Sequence, residues 1–140
     1  MSTLYNAKMA LQRAFYLPTP LLSCDVVLEN VEYTPQADTK YAKLTFSPEA
    51  TEPLTMGIDG DDLVKGYFYI ELFYPKNTGN AQACTDFEII RARYRSGVSF
   101  TYNGTVATII ACSRTQGSIV DETYYRIRVN IFFHTRTSRQ

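Results

Sequence analysis

Val64-Lys65-Gly66-Tyr67-Phe68-Tyr69-Ile70-Glu71-Leu72-Phe73-Tyr74-Pro75 sets Phe68, Ile70, Leu72 and Tyr74 at every second position, with Tyr67, Tyr69, Glu71 and Phe73 between them. Successive side chains of a β-strand point to opposite faces, so each set lines one side of a sheet. Aromatic and β-branched residues dominate both sides, which predicts a central strand ended by Pro75. So many rings exceed what a sheet with one wet face requires, so a second covering layer is expected. In a chain of 140 residues a partner subunit can be that layer.

The same period recurs on both sides of this run. Tyr124 to Phe133 puts Tyr125, Ile127, Val129, Ile131 and Phe133 on one face and Tyr124, Arg126, Arg128, Asn130 and Phe132 on the other. The mixed second face suggests partial exposure or burial against a neighbouring subunit, which makes Arg126 and Arg128 candidate interaction residues. Ala42, Leu44 and Phe46 alternate in a strand from Tyr41 that Pro48 is expected to end, and a short extended stretch is expected from Asp25 to Val31. Asn103-Gly104 is the pair that a type I′ turn prefers, so Ser99–Tyr102 and Thr105–Cys112 read as a hairpin.

Two helices complete the pattern. Leu4, Ala7, Leu11 and Ala14 recur on one helical face after a Ser2 or Thr3 cap, predicting a helix over 1–16 that Leu17-Pro18-Thr19-Pro20 stops. Ala83, Phe87, Ile90 and Tyr94 form the stripe of a second helix over 80–95, capped by Asn80 and carrying Arg91, Arg93 and Arg95 near its C-terminus, where the helix dipole favours cations. A short tail is expected over 132–140. The element order predicts one α+β domain over 1–140, with a mainly antiparallel sheet and two helices packed on one face.

Between Ser47 and Asp62 the sequence reads as an excursion. Pro53 to Met56 can open a strand, and Gly57-Ile58-Asp59-Gly60-Asp61-Asp62 is expected to be an acidic loop. Long irregular loops usually carry function, so Ile58, Asp59, Asp61 and Asp62 are candidate interaction residues. A calcium loop is not expected: the position twelve from Asp59 is Ile70, in a strand, where the bidentate glutamate would have to stand.

Composition removes other functions. Fourteen Lys and Arg balance fourteen Asp and Glu, so the chain lacks the excess positive charge that draws a protein to nucleic acid, and sequence-specific binding is not expected. Cys24, Cys84 and Cys112 are odd in number and widely spaced, arguing against a disulfide framework or zinc site and for packing in a reducing compartment. His134, the single histidine, has no nucleophile arranged around it and reads as an exposed strand-end residue. No phosphate-binding glycine loop, signal sequence or apolar run of membrane length occurs. Neither an enzyme nor a cofactor or metal site is expected, nor a membrane partner, and Asn103-Gly104-Thr105 is read as turn chemistry.

Glu29-Asn30-Val31-Glu32-Tyr33-Thr34-Pro35, then Val64 to Pro75 with the Gly79 turn and helix, then Tyr124-Tyr125-Arg126-Ile127-Arg128-Val129-Asn130-Ile131 follow one another in an order that resembles the tail-terminator-like proteins of long-tailed phages, including the lambda type. The resemblance runs from Glu29 to Arg136. It departs at Tyr124 or Tyr125, where relatives often carry tryptophan. The resemblance implies a structural virion protein forming a homo-oligomeric, hexameric ring. That ring would cap the tail tube protein, stop its polymerisation and meet the head connector or neck protein, with a lumen that passes genomic DNA. It implies assembly in the host cytoplasm and residence in the tail or neck. The rival readings are another neck or tail-completion subunit and, from a different class, a small-molecule-binding or hydrolytic domain.

Overall fold

The computed structural model describes residues 3–16, 21–22, 24–28, 40–53, 61–75, 81–115, 117–120 and 124–138. They form helices α1 (Thr3–Ala14) and α2 (Ala81–Arg93) and strands β1 (Asp25–Val27), β2 (Tyr41–Pro53), β3 (Asp61–Pro75), β4 (Ser99–Tyr102), β5 (Thr105–Arg114), β6 (Ser118–Val120) and β7 (Tyr124–Ser138). The sheet runs β1-β2-β3-β7-β5-β4. Among the described strands only β1 and β2 pair in parallel. β6 pairs with the start of β7 beyond the reach of β5 and continues the same edge, so the sheet is six strands wide.

The alternation read from the sequence is the alternation observed. Phe68, Ile70, Leu72 and Tyr74 of β3 face the same side as Ile127, Val129, Ile131 and Phe133 of β7, Ala42 and Leu44 of β2, and Ala107 and Ile109 of β5. Leu11, Ala14 and Phe15 from the α1 end and Ala83, Ile90 and Tyr94 from the α2 end complete this core, so both helices cover one face of the α+β sheet. Burying these side chains supplies the apolar driving force for folding.

The C-terminal end of α1 is fully accounted for. Its last four carbonyls lack partners within the helix. Tyr94 Oη donates to the Leu11 carbonyl at 2.8 Å and Arg93 Nη1 to that of Ala14 at 3.0 Å, while the backbone N–H groups of Phe15 and Tyr16 reach Gln12 and Arg13. The helix therefore ends at Ala14, two residues before the expected end at 16, and the turn begins at Phe15.

Several expectations are corrected. β2 does not end at Pro48 but continues to Pro53, with a bulge between Pro48 and Ala50. Pro48 lies opposite Gly66, where a Cβ would fall 2.4 Å from the Ser47 carbonyl oxygen and 2.7 Å from the Pro48 Cα. Only glycine accepts the strand so close. Asp61 and Asp62 are not loop residues but open β3, opposite Ser138 and Thr137. The excursion is thus largely a β2–β3 hairpin arm that β7 flanks, and the expected tail from 132 is strand as far as Ser138. Of the extended stretch expected to Val31, Asp25–Val27 is strand and Leu28 is not; residues 29–39 and 54–60, with Ile58 and Asp59, lie outside the described residues, as does the Asn80 cap. His134 sits within β7 rather than at its end, Cys84 is exposed on α2, and Leu4 is exposed on α1. The Asn103-Gly104 turn is present, both residues having the positive φ that type I′ requires (48° and 80°).

Two outcomes follow. Gly66→Ala should lower unfolding free energy by about 1–3 kcal/mol in urea titrations, because the added carbon meets backbone rather than a side chain able to move. Burial, partly offset by Arg91, raises the Cys112 thiol from its ordinary 9.0 to about 11. The folded chain then holds that proton more tightly than the unfolded chain, so the stabilisation is intact below pH 9 and is lost as pH rises through about 11. Burial also raises Tyr74 and Tyr94, extending the loss above 10. Urea midpoints should fall across this window, and Cys112→Ala should flatten the part between 9 and 11.

Candidate assembly interface

With both helices on one face, the opposite face of β3 and β7 presents the second set of alternating residues. At one end it closes on itself: Phe73 stacks on Tyr41 with centroids 4.5 Å apart, and Tyr124 stands edge-on to both. Beyond this cluster Tyr67 stacks on Tyr69 at 5.5 Å and tilts against Phe132 at 5.2 Å, all three rings remaining partly accessible.

Arg126 and Arg128, the two arginines singled out in the sequence, share this face. Glu71 lies directly opposite Arg128 in the ladder, yet it pairs with Arg126 at 3.2 Å. Arg128 leans the same way and stacks over Tyr69, 4.6 Å from the ring centroid. Each arginine thus reaches two residues along the neighbouring strand, the diagonal contact that long side chains make across a ladder. Arg128 remains exposed to solvent on one side while its guanidinium lies over the ring, a cation–π contact. Partial burial, followed by the Glu49 carboxylate that accepts its hydrogen bond, raises the Tyr69 hydroxyl above its ordinary value.

The aspartates lie elsewhere. Asp61 is ten residues up β3 from Glu71, roughly 33 Å at the rise of an extended strand. It accepts a hydrogen bond from Arg136 Nε at 2.7 Å, while Asp62 faces the other side of the ladder. Asp61 and Asp62 therefore belong to the arm and do not join Arg126 and Arg128 in one site. Lys65 and Glu52 form a second ion pair on the arm at 3.3 Å.

Sequence reading missed the contribution of Glu49, the bulge residue of β2, because a bulge has no local signature. It also missed Asp86, buried on the sheet-facing side of α2. Its carboxylate accepts a hydrogen bond from Tyr74 Oη at 2.7 Å and pairs with Lys40 at 3.3 Å. The signal was an acid between Ala83 and Ile90 on an apolar stripe, legible only once Tyr74 is known to face it. Among the described residues no group of His, Cys, Asp and Glu is arranged to hold a metal ion. Among the described residues no helix is long and apolar enough to cross a membrane.

A family model described as Phage tail terminator protein matches residues 8–133. The chain belongs to the phage tail terminator family. It is accordingly a phage tail structural protein and a component of the virion tail. A solved structure known by a sequence identifier is similar in fold, with a TM-score of 0.66 and 16% identity over 91% of this chain and 87% of that one. Among curated proteins the comparison finds no match.

Ion pairs on exposed positions contribute little to folding. Asp61→Asn should cost the terminator subunit no more than about 1 kcal/mol in denaturant unfolding, leaving its circular dichroism unchanged.

Proposed function

We propose that this family member is a tail terminator in the full sense. Copies of the chain close into a ring, expected as a hexamer, that caps the tail tube, stops its polymerisation and turns its other side to the head connector or neck protein. Assembly takes place in the host cytoplasm, the lumen passes genomic DNA without reading its sequence, and the subunit catalyses no reaction and needs no cofactor or metal.

The observation that carries this reading is the outer sheet face. Tyr67, Tyr69 and Phe132, edged by Arg126 and Arg128, lie on the side of the sheet that neither helix covers. Aromatic and arginine side chains are enriched where protein surfaces are buried against one another. A cap adds a physical requirement: it must satisfy the open end of a tube on one side without offering the same surface on the other. A ring of asymmetric subunits meets that requirement, because its two sides are built from different residues.

Phage lacking the protein should produce over-long tail tubes in electron micrographs, and Tyr69→Ala with Arg128→Ala should reproduce that defect from a folded subunit. Tubes of normal length that fail to join heads would instead identify a joining subunit and overturn the capping role.

A further inference from the structure

The helix α1 is apolar on two sides. Ala7, Ala10, Leu11 and Ala14 are buried against the sheet, while Tyr5, Met9, Arg13 and Tyr16 follow one another at i, i+4, i+8 and i+11 on the outward side. Tyr5 is 48% exposed and Tyr16 39%, with Leu4 beside them at 37%. A helix with apolar residues on both faces is normally buried on both. Between α1 and β4 lies a cavity of about 250 Å³ lined by Ala10, Arg13, Ala14, Phe100 and Thr101, room for one inserted side chain.

Charge distinguishes this surface from the sheet arm. α1 contains Lys8 and Arg13 and no acid. The adjoining end of α2 exposes Arg91 and Arg95, neither of which forms an ion pair among the described residues. On the outer side of the arm Glu49, Glu52 and Asp61 stand against Lys65 and Arg136, with Glu49 beside the Tyr67–Tyr69–Phe132 surface, while Asp62 faces the other side. A chain of zero net charge therefore sets a basic apolar helix surface apart from an aromatic sheet surface whose arm end holds one acid more than it holds bases, Arg126 and Arg128 lying toward its other end.

We propose that the ring closes head to tail, the outward face of α1 in one copy seating on the arm end of the outer sheet face in the next. The inference rests on the ring reading above. Ring closure requires two different, mutually complementary patches on each copy. A second copy supplies both the apolar and the charge complement. Pairing α1 with α1 would bring Lys8 and Arg13 against themselves, and like charges facing each other across an interface are costly.

Charge reversal with native mass spectrometry tests the pairing. Arg13→Glu and Glu49→Arg should each weaken ring formation by at least about tenfold while leaving the monomer folded by circular dichroism. Mixing the two variants should restore an even-numbered ring, because alternating copies then bring opposite charges together at every contact. Intact rings from both single variants would overturn the pairing and leave the ring reading standing. Rings that persist while tubes go uncapped would assign α1 to the tube protein and likewise overturn it. A wild-type chain that stays monomeric at every concentration and in the presence of tubes would overturn both readings.

Discussion

β3 and β7 lie side by side over fifteen residues each, from Asp61 opposite Ser138 to Pro75 opposite Tyr124, without interruption. β2 hangs on one side of this pair and β5 on the other, and both of those ladders contain a bulge. The central ladder contains none and sets the register for its neighbours. A slip of β3 by one residue against β7 would carry Phe68, Ile70 and Leu72 to the face that lacks helices, away from Ile131, Val129 and Ile127, and turn Glu71 toward the helix-covered face. The cost of that exchange keeps the aromatic and arginine surface outside and the aliphatic core inside.

Features set by local spacing were legible in the sequence. The two-residue alternation around Ile70 and Val129, the stripe from Ala83 to Tyr94 and the Asn103-Gly104 turn each depend on neighbours within a few positions. Pro48 shows where such reading stops. Whether its missing N–H ends a strand depends on what lies across the ladder, and Gly66 is eighteen positions away. The same limit separates Asp61 from the loop it was expected to occupy, since the partners that make it a strand residue come from the far end of β7. Leu4 shares the spacing of a buried stripe but lies at its edge, and only the placement of α1 over β4 and β5 shows that it points outward.

The candidate interface was legible in type rather than in place. Arg126 and Arg128 were recognisable as charges on a strand face otherwise rich in rings, and the structure joins them to Glu71 and Tyr69 through diagonal contacts that follow from strand pairing. Total charge concealed more than it revealed. Equal numbers of acids and bases say nothing of their separation, and here α1 carries only bases whereas four acids cluster on the arm.

The cap on the C-terminal end of α1 has a consequence for how the molecule opens. Tyr94 is completely buried and its hydroxyl is spent on the Leu11 carbonyl, so α1 cannot lift from the sheet without stranding a phenol in the core and freeing Arg93 as well. Helices that are far apart in the chain are thereby joined into one cooperative unit, whose amides exchange with solvent together rather than by fraying of the N-terminal segment. Strain applied to the outer side of α1 passes through that phenol to the rings of Phe68 and Phe100 beneath it, giving the surface of the subunit a mechanical line to its centre.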